Sequence, residues 1–276
     1  MGGSFAMALR EAGAVKQVCG HSRSAVSTQR AFELGIIDKV CSSPAEAVEQ
    51  ADLVLVAVPV GATQAVLSEL VPALGADALV MDVGSTKRDV VAAAQAALGA
   101  RVAQFVPAHP IAGKEHGGIE QAEAGLYRQR CTILTPLSEN PASLVGEAQA
   151  VWEAMGCRVV QMKPAEHDET FAAVSHLPHV LAFAYMQGLM SQGGPQLQRH
   201  LDLAGPGFRD FSRIAASGSG IWRDILSANR DEVLAQLAHF EAALQQMKSA
   251  LDEGRLDELS SLIDAAAALR SGWKQG

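Results

Sequence analysis

At 276 residues, with 49% hydrophobic and 19% charged residues, the chain has the apolar content of a large globular core, which excludes a disordered protein and suggests two domains. A formal net charge of −8 argues against nucleic acid or an acidic membrane surface as a partner, so an anionic ligand has to be caught by local arginines and helix N-termini. Cys19, Cys41, Cys131 and Cys157 are scattered and have no metal-ligand spacing. They read as buried thiols in a reducing compartment and, with no signal-like start or bilayer-length apolar run, predict a cytoplasmic protein.

The chain opens on "MGGSFAMALREAG", a glycine-rich helix start with no strand in front of it. "KQVCGHSRS" reads as a strand that ends in polar residues. "SSPAEAVEQA" reads as a helix, with Ser43 as its cap, Pro44 at the first helical position and Glu46 completing a capping box. "DLVLVAVP" is a continuous apolar run stopped by Pro59, as expected of a strand buried on both faces. "ALVMDVGSTK" and "RVAQFVPAHP" are two further strands separated by the helix "RDVVAAAQAAL". "RCTILTP" and "CRVVQM" flank the helix "PASLVGEAQAVWEAMG". This alternation predicts an α/β fold with a doubly wound, mostly parallel sheet and helices on both faces.

After Lys163 no β-rich run follows, which divides the chain into an α/β region (1–163) and an all-helical region (164–276). "NRDEVLAQLAHFEAALQQMKSAL" carries Val233, Leu234, Leu237, Leu244, Met247 and Leu251 at helical spacing, and "LDELSSLIDAAAAL" repeats the pattern. The spacing fits a dimer seam or an internal core equally. The terminal "RSGWKQG" reads as a frayed tail.

Gly2 fits the last glycine of a dinucleotide-binding fingerprint, where the helix start holds a pyrophosphate. The preceding strand and glycines would lie before Met1, so the α/β region is expected to lack its first strand. At the turn where NAD enzymes place an acidic residue on the ribose, "CGHSRS" offers Ser22 and Arg23. A hydroxyl and a guanidinium favour NADP, with NAD possible. His109, in "VPAHPIAG", ends a buried strand at the sheet edge where open α/β folds bind ligands, and could accept a proton from a substrate hydroxyl. Ser85, in "DVGSTK", ends the neighbouring strand and suits either a helix cap or a bond to that hydroxyl or to His109.

Taken together, "GGSFA", "AVPVGAT", "DVGSTK", "HPIAGKEHGG", "SHLPH" and "GFRDFSRIA" resemble the prephenate/arogenate dehydrogenase family of tyrosine biosynthesis across almost the whole chain. The resemblance implies a Rossmann-like domain followed by a helical domain that forms a homodimer, and oxidative decarboxylation of a cyclohexadienol acid with NAD or NADP. It implies that His109 bonds the ring C4 hydroxyl and that Ser85 helps to position it. Ser175, His179 and Trp222 would line the substrate pocket, and Arg213 would clamp a carboxylate. Gly2, Gly3, Ser4, Ser22, Arg23, Val58, Pro59 and Thr63 would hold the cofactor. His176 and His179 have no nearby third ligand, so no metal is expected. The "SGSG" stretch (217–220) departs from the acidic or asparagine–proline pattern of many relatives. Gly218 offers no side chain to discriminate prephenate from arogenate, and inhibition by tyrosine is left open. Two rivals remain. A β-hydroxyacid dehydrogenase would need a catalytic lysine that "AEHDETFAAVSHLPH" does not contain, and a non-catalytic nucleotide-binding relative would need no His109.

Overall fold

The computed structural model describes residues 1–113 and 117–274; positions 114–116, part of the "HPIAGKEHGG" run, and the last two residues of "RSGWKQG" lie outside them. Strands β1 (Cys19–Gly20), β2 (Lys39–Val40), β3 (Leu53–Val56), β4 (Leu79–Asp82), β5 (Phe105–Val106), β6 (Ala108–Pro110), β7 (Cys131–Leu134) and β8 (Arg158–Gln161) are interleaved with six α-helices. These are α1 (Gly2–Glu11), α2 (Ala25–Glu33), α3 (Pro44–Val48), α4 (Thr63–Leu70), α5 (Arg88–Leu98) and α6 (Ala142–Ala154). Beyond Gln161 the described chain is helical: α7 (Pro164–Phe171), α8 (Leu177–Met190), α9 (Gly194–Asp202), α10 (Pro206–Ser212), α11 (Ser219–Ala228), α12 (Arg230–Asp252) and α13 (Leu256–Gly272). None of these helices is long and apolar enough to cross a membrane.

The strands pair as β1–β2, β3–β4–β5 and β6–β7–β8, all parallel except β6 against β7. The expected single strand "RVAQFVPAHP" is therefore two strands preceded by a 3₁₀ segment (Gly99–Gln104). Pro107 has no N–H to carry the ladder through; its carbonyl accepts instead from Thr135 N–H at 2.9 Å, and the chain turns over to β7. This break places His109 on an antiparallel strand beside the parallel ones, opposite Ile133.

β4 is buried along its whole length, and its residues alternate between two cores. Leu79 and Met81 pack with Phe5, Ala8 and Leu9 of α1 and with Ala148 and Trp152 of α6; Val80 packs with Leu67 and Leu70 of α4 and Val90 and Ala94 of α5. Helices thus cover both faces, as the apolar runs imply. Phe5 and Tyr127 stand edge-on to Trp152, with ring centroids 5.1 Å and 5.4 Å away. Another part of α1, Ala6, packs on Ala31, Ile36 and Ile37, and so ties the β1–β2 pair to the rest.

Several local expectations change in detail. Ser43 caps α3 as read, but the Glu46 carboxylate reaches the N–H of Ser42 (2.8 Å) and not that of Ser43. With the Ser42 bonds and Lys39 added, it is held down to about 2. Cys41 and Cys157 are buried as read, but Cys131 is half-buried and Cys19, on the two-residue β1, is exposed. Helix α13 continues through Gly272, and Arg270 lies over the Trp273 ring, so the first three residues of the predicted tail are helix end.

Candidate active site

The backbone of β6 is clamped just before His109. Asp82 and Lys87, both fully buried, form an ion pair at 2.5 Å. Asp82 also accepts from the N–H of Ala108 (2.9 Å) and of Gly84 (2.7 Å), while Lys87 donates to the carbonyl of Ala108 (2.9 Å). Both polar groups of Ala108 are thereby fixed by charge-assisted bonds. Gly84 is required here: a Cβ would stand 2.8 Å from the Asp82 carboxylate and 2.9 Å from Val60.

The helical region meets His109 from the other side. His109 Nδ1 is 2.8 Å from His167 Nε2, and His167 Nδ1 is 2.8 Å from Asp168 Oδ1. Asp168 accepts in addition from the N–H groups of Lys87 (2.8 Å) and Arg88 (2.9 Å) at the start of α5. This carboxylate caps α5, a task that Ser85 could have filled; Lys87 is the N-cap residue and Ser85 lies half-buried in the loop before it. Burial opposes ionisation of Asp168, but bonds from His167, Arg88 and Lys87 outweigh it and hold the carboxyl below its ordinary value. His109 is pushed well below the usual histidine value, first by burial and then by the charges of His167, Lys87 and His176. His167 is lowered by burial, against the pull of Asp168. Phe171 closes the pair, its ring 4.8 Å from that of His109 and stacked on that of His167 at 4.5 Å.

Between α7 and α8 the helix widens into one π turn, Ala172–His176. Pro178 explains it: proline has no N–H for the carbonyl four residues back and its ring collides with that carbonyl, so the turn opens. The turn places His176 inward, where Asn229 bonds its Nδ1 (3.1 Å) and the Asp168 carbonyl (2.7 Å), and burial takes it down to about 4. The carbonyl of Ser175 accepts from His179 Nδ1 at 2.9 Å, and His179 stacks on Trp222 with centroids 3.9 Å apart. Burial lowers the His179 pKa; the Ser175 bond opposes this, and the charge of Arg213 lowers it further. Arg213 itself is exposed, in the 3₁₀ turn after α10. His109, His179, Trp222 and Arg213 therefore belong to one continuous cluster that spans both regions.

The residues expected to hold a cofactor fall into two groups. Gly2, Gly3 and Ser4 form the first turn of α1, whose N–H groups have no partner within the helix. A Cβ on Gly2 would stand 3.2 Å from the Cβ of Ala57, so this helix start lies against the Val58–Pro59 loop. The Ser4 hydroxyl is buried and already engaged, accepting from Glu123 N–H (3.1 Å). Thr63 is buried at the start of α4, and the same loop touches the helical region where the Asp224 carboxylate lies beside Gly61. Ser22 and Arg23 lie apart, exposed between β1 and α2. The Ser22 hydroxyl bonds Ser24 O and Thr28 Oγ1, both at 2.9 Å, within that turn. A glycine helix start with open N–H groups fits the pyrophosphate of a dinucleotide.

Sequence reasoning missed His167, Asp168 and the Asp82–Lys87 pair. The only signal for the first two was an adjacent His-Asp at the first helix after the last strand, which is a weak one without the fold.

Comparisons with known proteins agree along the chain. The family described as prephenate dehydrogenase, nucleotide-binding domain, matches residues 5–161, and prephenate dehydrogenase, dimerization domain, matches residues 163–265. A cyclohexadienyl dehydrogenase of Zymomonas mobilis is 34% identical over 84% of this chain and 78% of its own length. A prephenate dehydrogenase of Bacillus subtilis is 31% identical over 99% of this chain and 73% of its own. The crystal structure of prephenate dehydrogenase from A. aeolicus, in complex with hydroxyphenyl propionate and NAD+, superposes with a TM-score of 0.90 at 34% identity, covering 98% of this chain and 93% of that one.

Proposed function

Because this chain belongs to the prephenate dehydrogenase family, we propose that it oxidises and decarboxylates prephenate or arogenate, with His109 as the proton acceptor and Arg213 as the carboxylate clamp. The observation that carries the reading is the half-buried His109, kept neutral by its surroundings, with the preceding residue of its strand, Ala108, locked by Asp82 and Lys87. A base must be unprotonated at working pH, and this environment keeps it so.

A nicotinamide, when bound, supplies the hydride acceptor. Gly2, Gly3 and the backbone of Ser4 would hold the pyrophosphate, and Val58, Pro59 and Thr63 would line its path toward the helical region. Ser22 and Arg23 suit a 2′-phosphate, which makes NADP the preferred cofactor over NAD. The A. aeolicus complex with NAD+ supports a nicotinamide cofactor in general.

His109 takes the proton of the substrate C4 hydroxyl as hydride leaves the same carbon. The C4 ketone so formed is conjugated through the ring to C1. The C1 carboxylate departs as carbon dioxide, its electron pair closes the aromatic ring, and the phenol oxygen takes back the proton from His109. Ser85 positions the hydroxyl. Arg213, with Ser175, His179 and Trp222 around it, holds a carboxylate away from the reacting carbon, a task for which a guanidinium fork is suited. Aromatisation drives the step, so alignment is the main demand on the protein. The dimerization-domain match and the exposed Leu244, Met247 and Leu251 of α12 support a homodimer through the helical region. Tyrosine, sharing the ring and a carboxylate, would compete at Arg213.

The test is a product balance. Incubation with prephenate should release equal amounts of carbon dioxide, reduced nicotinamide and 4-hydroxyphenylpyruvate, and arogenate should give tyrosine instead. Reduction without loss of carbon dioxide overturns the assignment.

A further inference from the structure

We propose that His167, oriented by Asp168, is a positioning residue that fixes the proton-accepting tautomer of His109. The inference rests on the reading of His109 as the base, and it follows from counting protons along three bonds. Asp168 is held ionised, accepting from the backbone N–H groups of Lys87 and Arg88 (2.8 and 2.9 Å), so it has no proton to give. The proton in its 2.8 Å bond to His167 must therefore sit on His167 Nδ1. Burial keeps His167 neutral, which leaves its Nε2 bare. That atom lies 2.8 Å from His109 Nδ1 and can only accept, so His109 carries its proton on Nδ1 and presents a lone pair at Nε2. Among the described residues, His109 Nε2 has no hydrogen-bond partner of its own.

Unassisted histidine side chains favour the opposite tautomer, with the proton on Nε2, which could not accept from a hydroxyl. The relay thus selects the minor form. It also reaches across the molecule. His167 and Asp168 belong to α7, whereas His109 is on β6, so the helical region sets the chemistry of a residue held by the sheet. Among the described residues, the other charged or titratable groups that face this pair are Lys87, with its partner Asp82, and His176. When a proton reaches His109 Nε2, the ring becomes cationic and its Nδ1–H bond to His167 strengthens, with the Asp168 carboxylate at the far end of the chain.

The experiment uses the full chain labelled with nitrogen-15 in histidine, and reads the ring tautomers by two-bond proton–nitrogen correlation, with His109→Gln to assign the signals. His109 and His167 should both carry the proton on Nδ1. His167→Leu should release His109 to the Nε2–H form and lower kcat at least about 100-fold, as expected when a base is held in the wrong tautomer, with KM nearly unchanged. His167→Gln, whose amide can accept from His109 and donate to Asp168, should restore the Nδ1–H form and most of kcat. A proton on His109 Nε2 in the unmodified chain overturns the proposal, as does an unchanged His109 tautomer in His167→Leu. Because the spectrum needs no turnover, an inactive chain with the Nδ1–H tautomer would sink the dehydrogenase reading alone.

Discussion

The strand-bearing region and the helical region are held together by different physics. Up to Gln161 the interior is mainly apolar. Alternate residues of β4 are shared between two cores, with Leu79 and Met81 on one side and Val80 on the other, and a smaller cluster holds Ala6, Ala31, Ile36 and Ile37. The Asp82–Lys87 pair is the one buried ion pair of this region among the described residues. Beyond Gln161 the buried set is small and much of it is polar: His167, Asp168, His176 and Asn229 lie beside Phe171, Ala172, Trp222 and Ile225. Large apolar side chains such as Leu234, Leu244, Leu251, Leu256 and Ile263 remain exposed. An apolar core tolerates change of shape and gives stability. A buried polar network fixes geometry and is costly when one partner is lost. The reacting histidine sits where the two meet.

That contrast can be broken at its chemical end first. His109→Asn should lower kcat by about 10²- to 10⁴-fold, the usual worth of a positioned base, while KM for the acid substrate changes far less. Unchanged turnover would remove His109 from the reaction. At the seam between the regions, Lys87→Met strands the buried Asp82 carboxylate on two backbone bonds. Urea unfolding should report a loss of about 3–5 kcal/mol, and a loss below about 1 kcal/mol would mean that the pair behaves like a surface one. Arg213→Ala should act on KM, raising it by roughly 10- to 100-fold as a charged hydrogen bond is lost. An effect on cofactor affinity instead would show that the clamp is misplaced.

Acid should expose the polar interior specifically. His109, His167, His176 and His179 all have folded pKa values below the ordinary 6.5. The unfolded chain therefore binds more protons below that point, and stability is complete above it and declines as the pH falls. For His176 the window runs from 6.5 down to about 4. Each group adds up to about 1.4 kcal/mol per pH unit to the decline. Thermal melts between these limits should show it, and a flat profile would mean that these rings are not buried neutral. The smallest effect is at the exposed turn: Ser22→Asp should shift preference toward NAD by on the order of tenfold, about 1.4 kcal/mol. An unmoved ratio counts against the phosphate reading.

The same contrast explains what the sequence disclosed. The α/β layout was legible because apolar runs such as "DLVLVAVP" and capped helices such as "SSPAEAV" are local patterns, and the later helices announce themselves by spacing. His109, Arg213, Trp222 and His179 stood out because their motifs are compact. His167 did not, because its partner is 58 positions away, and Lys87 donates to a carbonyl 21 positions on. The break at Pro107 was visible as a proline, yet its result, a reversal of strand direction, depends on where β7 lies. Long-range polar pairing leaves no periodic trace in a chain.

Initial rates of nicotinamide reduction test the proposed reaction most directly: the 276-residue chain with prephenate and with arogenate, each with NAD and with NADP. The predicted result is reduction with at least one of the acids, faster with NADP. A folded protein silent in all four combinations would contradict it.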